Sequence, residues 1–388
     1  MASSRKPDPS PSSSPNLGTT KKENEVQSNS SKSAARHKRA TVAAAMLAAC
    51  LLALVLAACG SNSSSSSTSS GEGSGGEASS SPTKVAFLVA TLEAGYPKGM
   101  LSFMEKAAER ENAEVTTYNA AFDPGKQVSQ CQDAVTKGYE AIIALPAASP
   151  PMVACAAETN SAGIPLIVTN TPVGSDYESA EPSVPGVTSQ VLIPANTAWG
   201  PEGIGVLLKD MCDEVQGQCN VALIEGVPAL ALTTAAVNGV KATVEENGYN
   251  LSGTCVGNYV QSGGLSCAQN LLQKDPGINV IVSQSDGMAL GAEIALKDEG
   301  KTPGKDVLIG TQGGSIEGVE RIRSGQWFGS IISDAKGEGE IPLELAVKAA
   351  NGEEVPKSVD PNKEDGLPLV LDQMNKDEYP SFKGTNKA

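Results

Sequence analysis

Short apolar runs alternate with amphipathic segments along residues 84–388, and this alternation occurs twice. Three strand–helix units precede residue 195, and the same pattern returns after it. Glycine at the ends and proline near the starts of the helical segments separate the units. Strands that alternate with helices form a parallel sheet with helices on both faces. The sequence therefore predicts an α/β protein with two doubly wound, Rossmann-like parallel-sheet lobes. The predicted strands lie at 84–90, 113–120, 141–147, 164–170, 220–226, 250–259, 278–284 and 306–312, and the longest predicted helix lies at 197–215.

The start of the chain has the form of an export signal. A basic cluster at 36–39 precedes a run from Ala40 to Ala58 that contains no charged residue. The run ends in LAAC, which resembles the lipobox at which bacterial lipoproteins are cleaved and lipidated, so Cys59 is the predicted lipidation site. A single transmembrane anchor is the alternative, since the run is nearly long enough to span a bilayer. A second LAAC ends at Cys50, but more apolar sequence follows it, which makes it the weaker candidate.

Three segments of different composition are expected before the folded part. Residues 1–39 form a polar, Pro/Ser-rich cytosolic extension that ends in the basic cluster, unless the start site lies further along the chain. Residues 40–58 form the hydrophobic part of the signal and the lipobox. Residues 59–83 form the lipidated cysteine and a tether rich in serine and glycine, which cannot bury a core. The folded part is therefore expected just outside the cell membrane.

Charge changes sign at the same boundary. The first 58 residues hold 8 Lys and Arg residues against 3 Asp and Glu residues, whereas the rest of the chain holds 21 against 41. Such an acidic body argues against nucleic acid or anionic lipid as a partner. We expect a soluble monomer that touches the membrane only through its lipid anchor.

Cysteine and histidine usage limits the chemistry. Six cysteines follow Cys59, and an even number outside the cytosol favours disulfides, with buried free thiols as the alternative. Six cysteines allow fifteen connectivities, and the pairing of sequence neighbours is the preferred one. Zinc is disfavoured, because no two of these cysteines have the close spacing that is typical of a zinc site. The single histidine, His37, precedes the folded part, which argues against Ser–His–Asp, Cys–His and His-ligated metal sites. No metal and no cofactor are expected. The neighbour pairs are Cys131 with Cys155, Cys212 with Cys219, and Cys255 with Cys267.

Several motifs occur in a distinctive order. They include TKVAFLVATLEAGYPKGM, INVIVSQSDGMALGAEIALKDEG and DVLIGTQGGSIEGVERIRSGQWFGSI. From residue 84 to about 372 the chain resembles the type I periplasmic binding proteins, specifically the ribose- and galactose-type sugar binders. The resemblance implies two lobes joined by a three-segment hinge that closes around a ligand, and delivery of that ligand to an ABC permease. It places the crossings near residue 193, near Ser333 and near Gly366. The implied lobes are 84–192 plus 334–364, and 193–333 plus 365–380.

The resemblance also implies a set of ligand-binding positions. Tyr96 and Tyr259 occupy positions that stack on sugar rings in the family. The other positions depart from the pattern of the sugar binders, because amides, hydroxyls and an apolar wall replace its charged groups, and Glu93 is the only charge expected near the entrance. These replacements predict that the ligand is a small neutral or cationic solute. It is either less hydroxylated than ribose or a sugar that is held by uncharged groups. The candidate ligand-binding residues are Glu93, Tyr96, Leu145, Asn170, Thr171, Thr234, Tyr259, Ser285, Gln312 and Ser333.

The stretch SQSDGMALGA at 283–292 places two polar side chains where a strand gives way to a helix. Asp286 is expected to cap the helix that begins at Gly287, because a carboxylate accepts from free backbone N–H groups at a helix start. Ser285 is expected to contact the ligand.

The functional hypothesis is an extracytoplasmic binding lipoprotein that delivers a sugar or sugar-like solute to an ABC importer. A receptor of the same fold that presents its ligand to a signalling partner is the alternative. An envelope enzyme is disfavoured, since the nearby acids Asp360, Glu364 and Asp365 lie in a turn-like solvated run. The acidic loops 175–186 and 353–366 are either solvated connections or docking surfaces for a permease.

Overall fold

The computed structural model describes residues 81–388. The expected lipidation of Cys59, the segments 1–39 and 40–58, and all but the last three residues of the 59–83 tether lie outside the described residues. Within the described part of the chain, no helix is long and apolar enough to cross a membrane.

The first sheet has six parallel strands in the order β11-β5-β4-β3-β1-β2. The centre of this sheet is fully buried, as expected for strands that helices cover on both faces. Its strands are β1 (Thr83–Val89), β2 (Ala113–Asn119), β3 (Ala141–Leu145), β4 (Leu166–Thr169), β5 (Val187–Val191) and β11 (Ser358–Val359).

The second sheet repeats this order as β12-β10-β9-β8-β6-β7, with β12 antiparallel to β10 at the edge. The predicted fold class, two doubly wound parallel-sheet lobes, is confirmed. The sequence-based prediction lacked the short strands β5, β10, β11 and β12. The strands of this sheet are β6 (Asn220–Glu225), β7 (Asn250–Val256), β8 (Val280–Ser283), β9 (Leu308–Gly313), β10 (Gly329–Ile332) and β12 (Val370–Asp372).

Helices cover both faces of each sheet, and four clusters of buried apolar residues lie between helices and strands. The chain passes from one sheet to the other three times: after β5, after β10, and between β11 and β12. The exact lobe boundaries stay predictions. The helices are α1 (Gly95–Arg110), α2 (Pro124–Thr136), α3 (Val153–Ala162), α4 (Ala195–Ala198), α5 (Val206–Asp213), α6 (Ala231–Asn247), α7 (Gln261–Lys274), α8 (Asp286–Asp298), α9 (Ile316–Arg323), α10 (Gly337–Ala350) and α11 (Pro361–Glu364).

The single helix predicted at 197–215 is wrong. The segment forms the short helix α4, a π-helical turn at Pro201–Gly205, and α5. Pro201 cannot donate a backbone hydrogen bond inside a helix, so the regular ladder stops there.

Among residues 81–388, three disulfides join sequence neighbours, which is the pairing that the sequence favours. Cys131 of α2 bonds to Cys155 of α3, so this bridge links two successive helices on one face of the first sheet. The other two bridges lie in the second lobe, between Cys212 and Cys219 and between Cys255 and Cys267.

Candidate functional site

A cavity of about 290 Å³ lies between the two lobes. Residues at or just after the carboxyl ends of β1 to β4 line one side, and residues at the ends of β6 to β10 line the other. In open α/β sheets, ligands bind at the carboxyl ends of the strands where the strand order reverses. The volume is at the lower end for ligand pockets, which favours a small molecule.

The structure brings nine of the ten candidate ligand-binding residues to this cavity and leaves Thr234 outside it. The nine lining residues are Glu93, Tyr96, Leu145, Asn170, Thr171, Tyr259, Ser285, Gln312 and Ser333.

Thr234 is exposed on α6, and Leu230 and Leu232 line the cavity instead. Helical residues advance by 100° each, so Thr234 is turned by roughly 200° from Leu232. The buried neighbour Thr233 supports the site indirectly, because its hydroxyl lies 3.4 Å from the hydroxyl of Tyr259.

Three lining residues adopt a left-handed backbone conformation although none is glycine. They are Phe122 with φ 59°, Asn170 with φ 64° and Tyr259 with φ 59°. This conformation is costly for side chains that carry a Cβ, and such strain concentrates at ligand-binding sites. Phe122 was not predicted from the sequence, since its backbone conformation cannot be read from residue types.

Tyr96 and Tyr259 come from opposite lobes and both line the cavity. The Tyr96 hydroxyl oxygen is buried and makes no hydrogen bond within the described part of the chain. Burial raises the pKa of Tyr96 well above 10.0, and the carboxylates of Glu338 and Asp334 raise it further. Burial also raises the pKa of Tyr259 to about 12. Both phenol groups are therefore uncharged. Each tyrosine has a hydroxyl group that can form hydrogen bonds and an apolar ring.

Gln312 is held in a fixed orientation at the floor of the cavity. The indole N–H of buried Trp199 donates to Gln312 Oε1 at 3.1 Å, and Gln312 Nε2 donates to Ser333 Oγ at 3.3 Å. The Ser333 hydroxyl keeps its own proton for a further partner. Gln284, which was not predicted from the sequence, is fixed similarly. Its Oε1 accepts from the backbone N–H of Gly226 at 2.6 Å, and its Nε2 donates to the carbonyl oxygen of Leu232 at 3.1 Å.

Glu338 lies behind the first-lobe side of the cavity. Its Oε2 accepts from Asn170 Nδ2 at 2.8 Å, and Thr171 Oγ1 donates to Asn170 Oδ1 at 3.1 Å. Glu338 is only 3% exposed. Burial raises its pKa to about 8, although the hydrogen bond from Asn170 and the nearby Tyr96 hydroxyl group act in the opposite direction. Glu338 is therefore largely protonated at neutral pH, and it orients Asn170 without adding a full charge.

The hinge beside Glu338 contains a second perturbed carboxyl group. Asp334 accepts from the backbone N–H groups of Lys336 and Gly337 at the start of α10. Burial and the neighbouring Asp365 raise the pKa of Asp334 to about 7. Asp365 itself is paired with Lys336 at 2.6 Å.

The cap expected at Asp286 is corrected by the structure, whereas the ligand contact expected for Ser285 stays a prediction. Ser285 is the cap of α8, because its Oγ accepts from the backbone N–H of Met288 at 3.2 Å. Asp286 belongs to the first turn of α8 and binds the next loop: its Oδ2 accepts from Ser315 Oγ at 2.6 Å, Ser315 N at 2.9 Å and Gly314 N at 3.2 Å. An extended backbone at Ser285 lets the residue one position earlier reach the free N–H groups. Both residues also line the cavity.

Charge in the cavity is sparse. Glu93 and Asp286 are the two acidic side chains among the described residues that line it, so Glu93 is not the only acidic side chain there, and no lysine, arginine or histidine is among these residues. Among residues 81–388, no group of three or more potential metal ligands comes together. Two of the three disfavoured catalytic acids have structural roles, since Asp360 accepts from two backbone N–H groups of α11 and Asp365 pairs with Lys336.

Comparison with known sequences gives a consistent result. The family described as "periplasmic binding protein domain" matches residues 85–354. The ribose import binding protein of Bacillus subtilis is 22% identical over 71% of this chain and 84% of its own. The D-allose-binding periplasmic protein of Escherichia coli is 27% identical over 58% of this chain and 70% of its own.

Solved structures show the same fold. An ABC transporter solute-binding protein from Bacillus halodurans with bound myo-inositol has a TM-score of 0.64 at 24% identity, over 78% of this chain and 98% of that chain. A Mycobacterium smegmatis protein in complex with β-D-fucofuranose has a TM-score of 0.67 at 22% identity, over 77% of this chain and 94% of that chain.

Proposed function

The chain belongs to the periplasmic binding protein domain family, and from this premise we propose that it binds a neutral sugar or sugar alcohol between its lobes and delivers it to an ABC importer. The cavity carries this proposal, because it combines two tyrosine rings with fixed amides and hydroxyls. Aromatic faces suit the C–H faces of sugar rings, whereas amides and hydroxyls suit ligand hydroxyl groups. Relatives named for ribose, D-allose and xylitol support the same ligand class.

The charge of the cavity excludes acidic ligands from this proposal. A phosphate or carboxylate that loses its water needs a positive partner. The described lining residues offer Glu93 and Asp286 and no cation. A neutral ligand avoids both the desolvation cost and the repulsion.

We also propose that Cys59 is lipidated and that the protein works on the outer face of the cell membrane. The LAAC sequence after an uncharged run supports this, as does the transport function of the relatives. Binding without catalysis fits the relatives, which are named as binding proteins.

Thermal unfolding of the purified full chain tests the ligand class. A neutral sugar or sugar alcohol at 100 times its Kd is expected to add about 2.7 kcal/mol to stability. For a protein of this size that corresponds to a rise in Tm of several degrees. Stabilisation by sugar phosphates or other acids alone would refute the proposal.

Replacing Tyr96 by alanine is expected to weaken binding of the stabilising ligand about thirtyfold. Truncation of a central aromatic contact costs roughly 2 kcal/mol, which corresponds to that factor. Tyr96→Phe keeps the ring and should lose much less. Calorimetric titration measures both Kd values, with Tyr177→Ala as the control because Tyr177 does not line the cavity. Equal Kd values for Tyr96→Ala and the wild type would show that Tyr96 does not contribute to ligand binding.

A further inference from the structure

The segment 384–388 lies against the second lobe at the entrance of the cavity. The backbone N–H of Thr385 donates to Gly314 O at 2.8 Å, and that of Ile316 donates to Asn386 O at 2.8 Å. The backbone N–H of Ala388 donates to Glu317 Oε2 at 3.1 Å. These bonds attach the 384–388 segment to the loop after β9 and to the first turn of α9.

The same segment packs against the first lobe, on the first turns of α1. A Cβ atom placed on Gly95 would lie 2.2 Å from Lys387 O, and one on Gly99 would lie 2.5 Å from Asn386 Cβ. Both distances are shorter than a real Cβ atom keeps from its neighbours. The segment therefore fits there only because these two positions are glycine. The Thr385 hydroxyl also accepts from the backbone N–H of Ala335, just after the second crossing between the lobes.

The residues that precede the segment fix its direction. Phe382 is buried in the core of the second lobe. The guanidinium of Arg323 donates to the carbonyl oxygens of Tyr379 and Phe382 at 2.7 and 2.9 Å. The chain is therefore held in place immediately before the segment begins.

Asn386 and Ala388 line the cavity between the starts of α1 and α8. Asn386 is only 7% exposed, and its Nδ2 donates to Lys387 O at 2.7 Å. Its Oδ1 is buried and has no hydrogen-bond partner among residues 81–388. An unpaired buried amide oxygen costs free energy that a donor on a ligand would recover.

We propose that the 384–388 segment is part of the ligand site and that Asn386 determines specificity, with its side-chain amide meeting a hydroxyl group of the bound sugar or sugar alcohol. This inference rests on the proposed function and adds a third chain element to the contacts from the two lobes. Because the segment bonds to one lobe and packs on the other, it completes the cavity wall when the lobes are together.

Three variants of the full chain test the role of the segment. The first ends at Lys383, the second is Asn386→Ala, and the third is Gly99→Ala. Gly99 itself does not line the cavity, but a Cβ added there displaces the segment. Gly125→Ala, at a helical glycine whose added Cβ meets only ordinary contacts, is the matched control. The probes are D-ribose, D-allose, xylitol and myo-inositol, and titration calorimetry gives each Kd.

The shortened chain and Gly99→Ala are expected to bind the preferred probe at least tenfold more weakly than the wild type. Asn386→Ala is expected to lose about fivefold and to change the ratio of Kd values among the four probes, which a purely structural residue would not do. Gly125→Ala should match the wild type.

Two results would overturn the inference while leaving the proposed function intact: a probe that binds the wild type and Asn386→Ala with equal Kd and equal preference, or tighter binding by the shortened chain. Failure of all four probes to bind the wild type would instead refute the proposed function, and the inference with it. If the shortened chain does not unfold cooperatively, Asn386→Ala decides.

Discussion

Replacing Glu338 by glutamine is expected to reduce the fall in stability that the wild type shows between pH 5 and 8. Burial raises the pKa of Glu338 to about 8, with Asp334 and Asp360 adding repulsion, whereas the unfolded value is 4.5. In this window the folded protein keeps the proton and the unfolded chain releases it. The titration of Glu338 alone therefore lowers the free energy of unfolding as the pH rises, by at most about 1.4 kcal/mol for each pH unit.

Glutamine keeps an oxygen that accepts from Asn170 Nδ2 and cannot ionise. The variant should therefore be more stable than the wild type at pH 8 and close to it at pH 5. Asp334, whose pKa is raised to about 7, titrates in both proteins, so the part of the slope that it contributes below that pH remains in the variant. Urea unfolding at pH 5, 6, 7 and 8 measures the two profiles.

Glu354→Gln is the matched control, because Glu354 is exposed just beyond the end of α10. It should reproduce the wild-type dependence on pH. Parallel profiles for Glu338→Gln and the wild type would show that Glu338 is already ionised in the folded protein, and its neutral role beside Asn170 would be wrong.

The importance of Glu338 could not be seen in the sequence, although the fold could. Alternating strand and helix patterns predict each βα unit locally, so both sheets follow from residue types and spacing. Glu338 lies in a helix pattern beside Glu340, and both resemble solvated helix charges. Its burial arises because α10 follows a strand of the second sheet but packs on α1 and the first sheet.

The candidate ligand positions came from the resemblance to a family, and their placement depends on how each strand ends. Eight of the nine that line the cavity lie at or just after the carboxyl end of a strand, and Tyr96 lies in the first turn of α1. Thr234 differs, because it lies two positions beyond Leu232 on α6 and such a shift turns a side chain to another face of the helix. The cap at Ser285 instead of Asp286 is a similar effect at a helix start, where one position separates a cap from the first turn.

Asn386 could not be predicted from the sequence for a different reason. Nothing in the local pattern of FKGTNKA indicates that this segment lies at a cavity formed by strands far away in sequence. The signal that was available is a pair of glycines in α1, Gly95 and Gly99, one helical turn apart. Such spacing on a helix predicts a close approach of another backbone without indicating which one.

Removing the Cys131–Cys155 bridge in a double alanine variant is expected to lower the free energy of unfolding by about 3 kcal/mol. The bridge spans 24 residues and limits the conformations of the unfolded chain, a contribution that grows with loop length. Thermal unfolding should show a fall in Tm of roughly 6 to 12 °C. Since neither cysteine lines the cavity, Kd for the stabilising ligand should be unchanged in the folded variant.

The Cys212–Cys219 bridge provides the matched comparison, because it closes only 7 residues. Its double alanine variant should lose about 2 kcal/mol by the same loop-closure argument. Reduction of the wild type with a thiol should destabilise it at least as much as the larger of the two losses. Equal losses in the two variants would contradict the dependence on loop length. A large change in Kd for Cys131→Ala/Cys155→Ala would show that the bridge between α2 and α3 also positions the first-lobe side of the cavity.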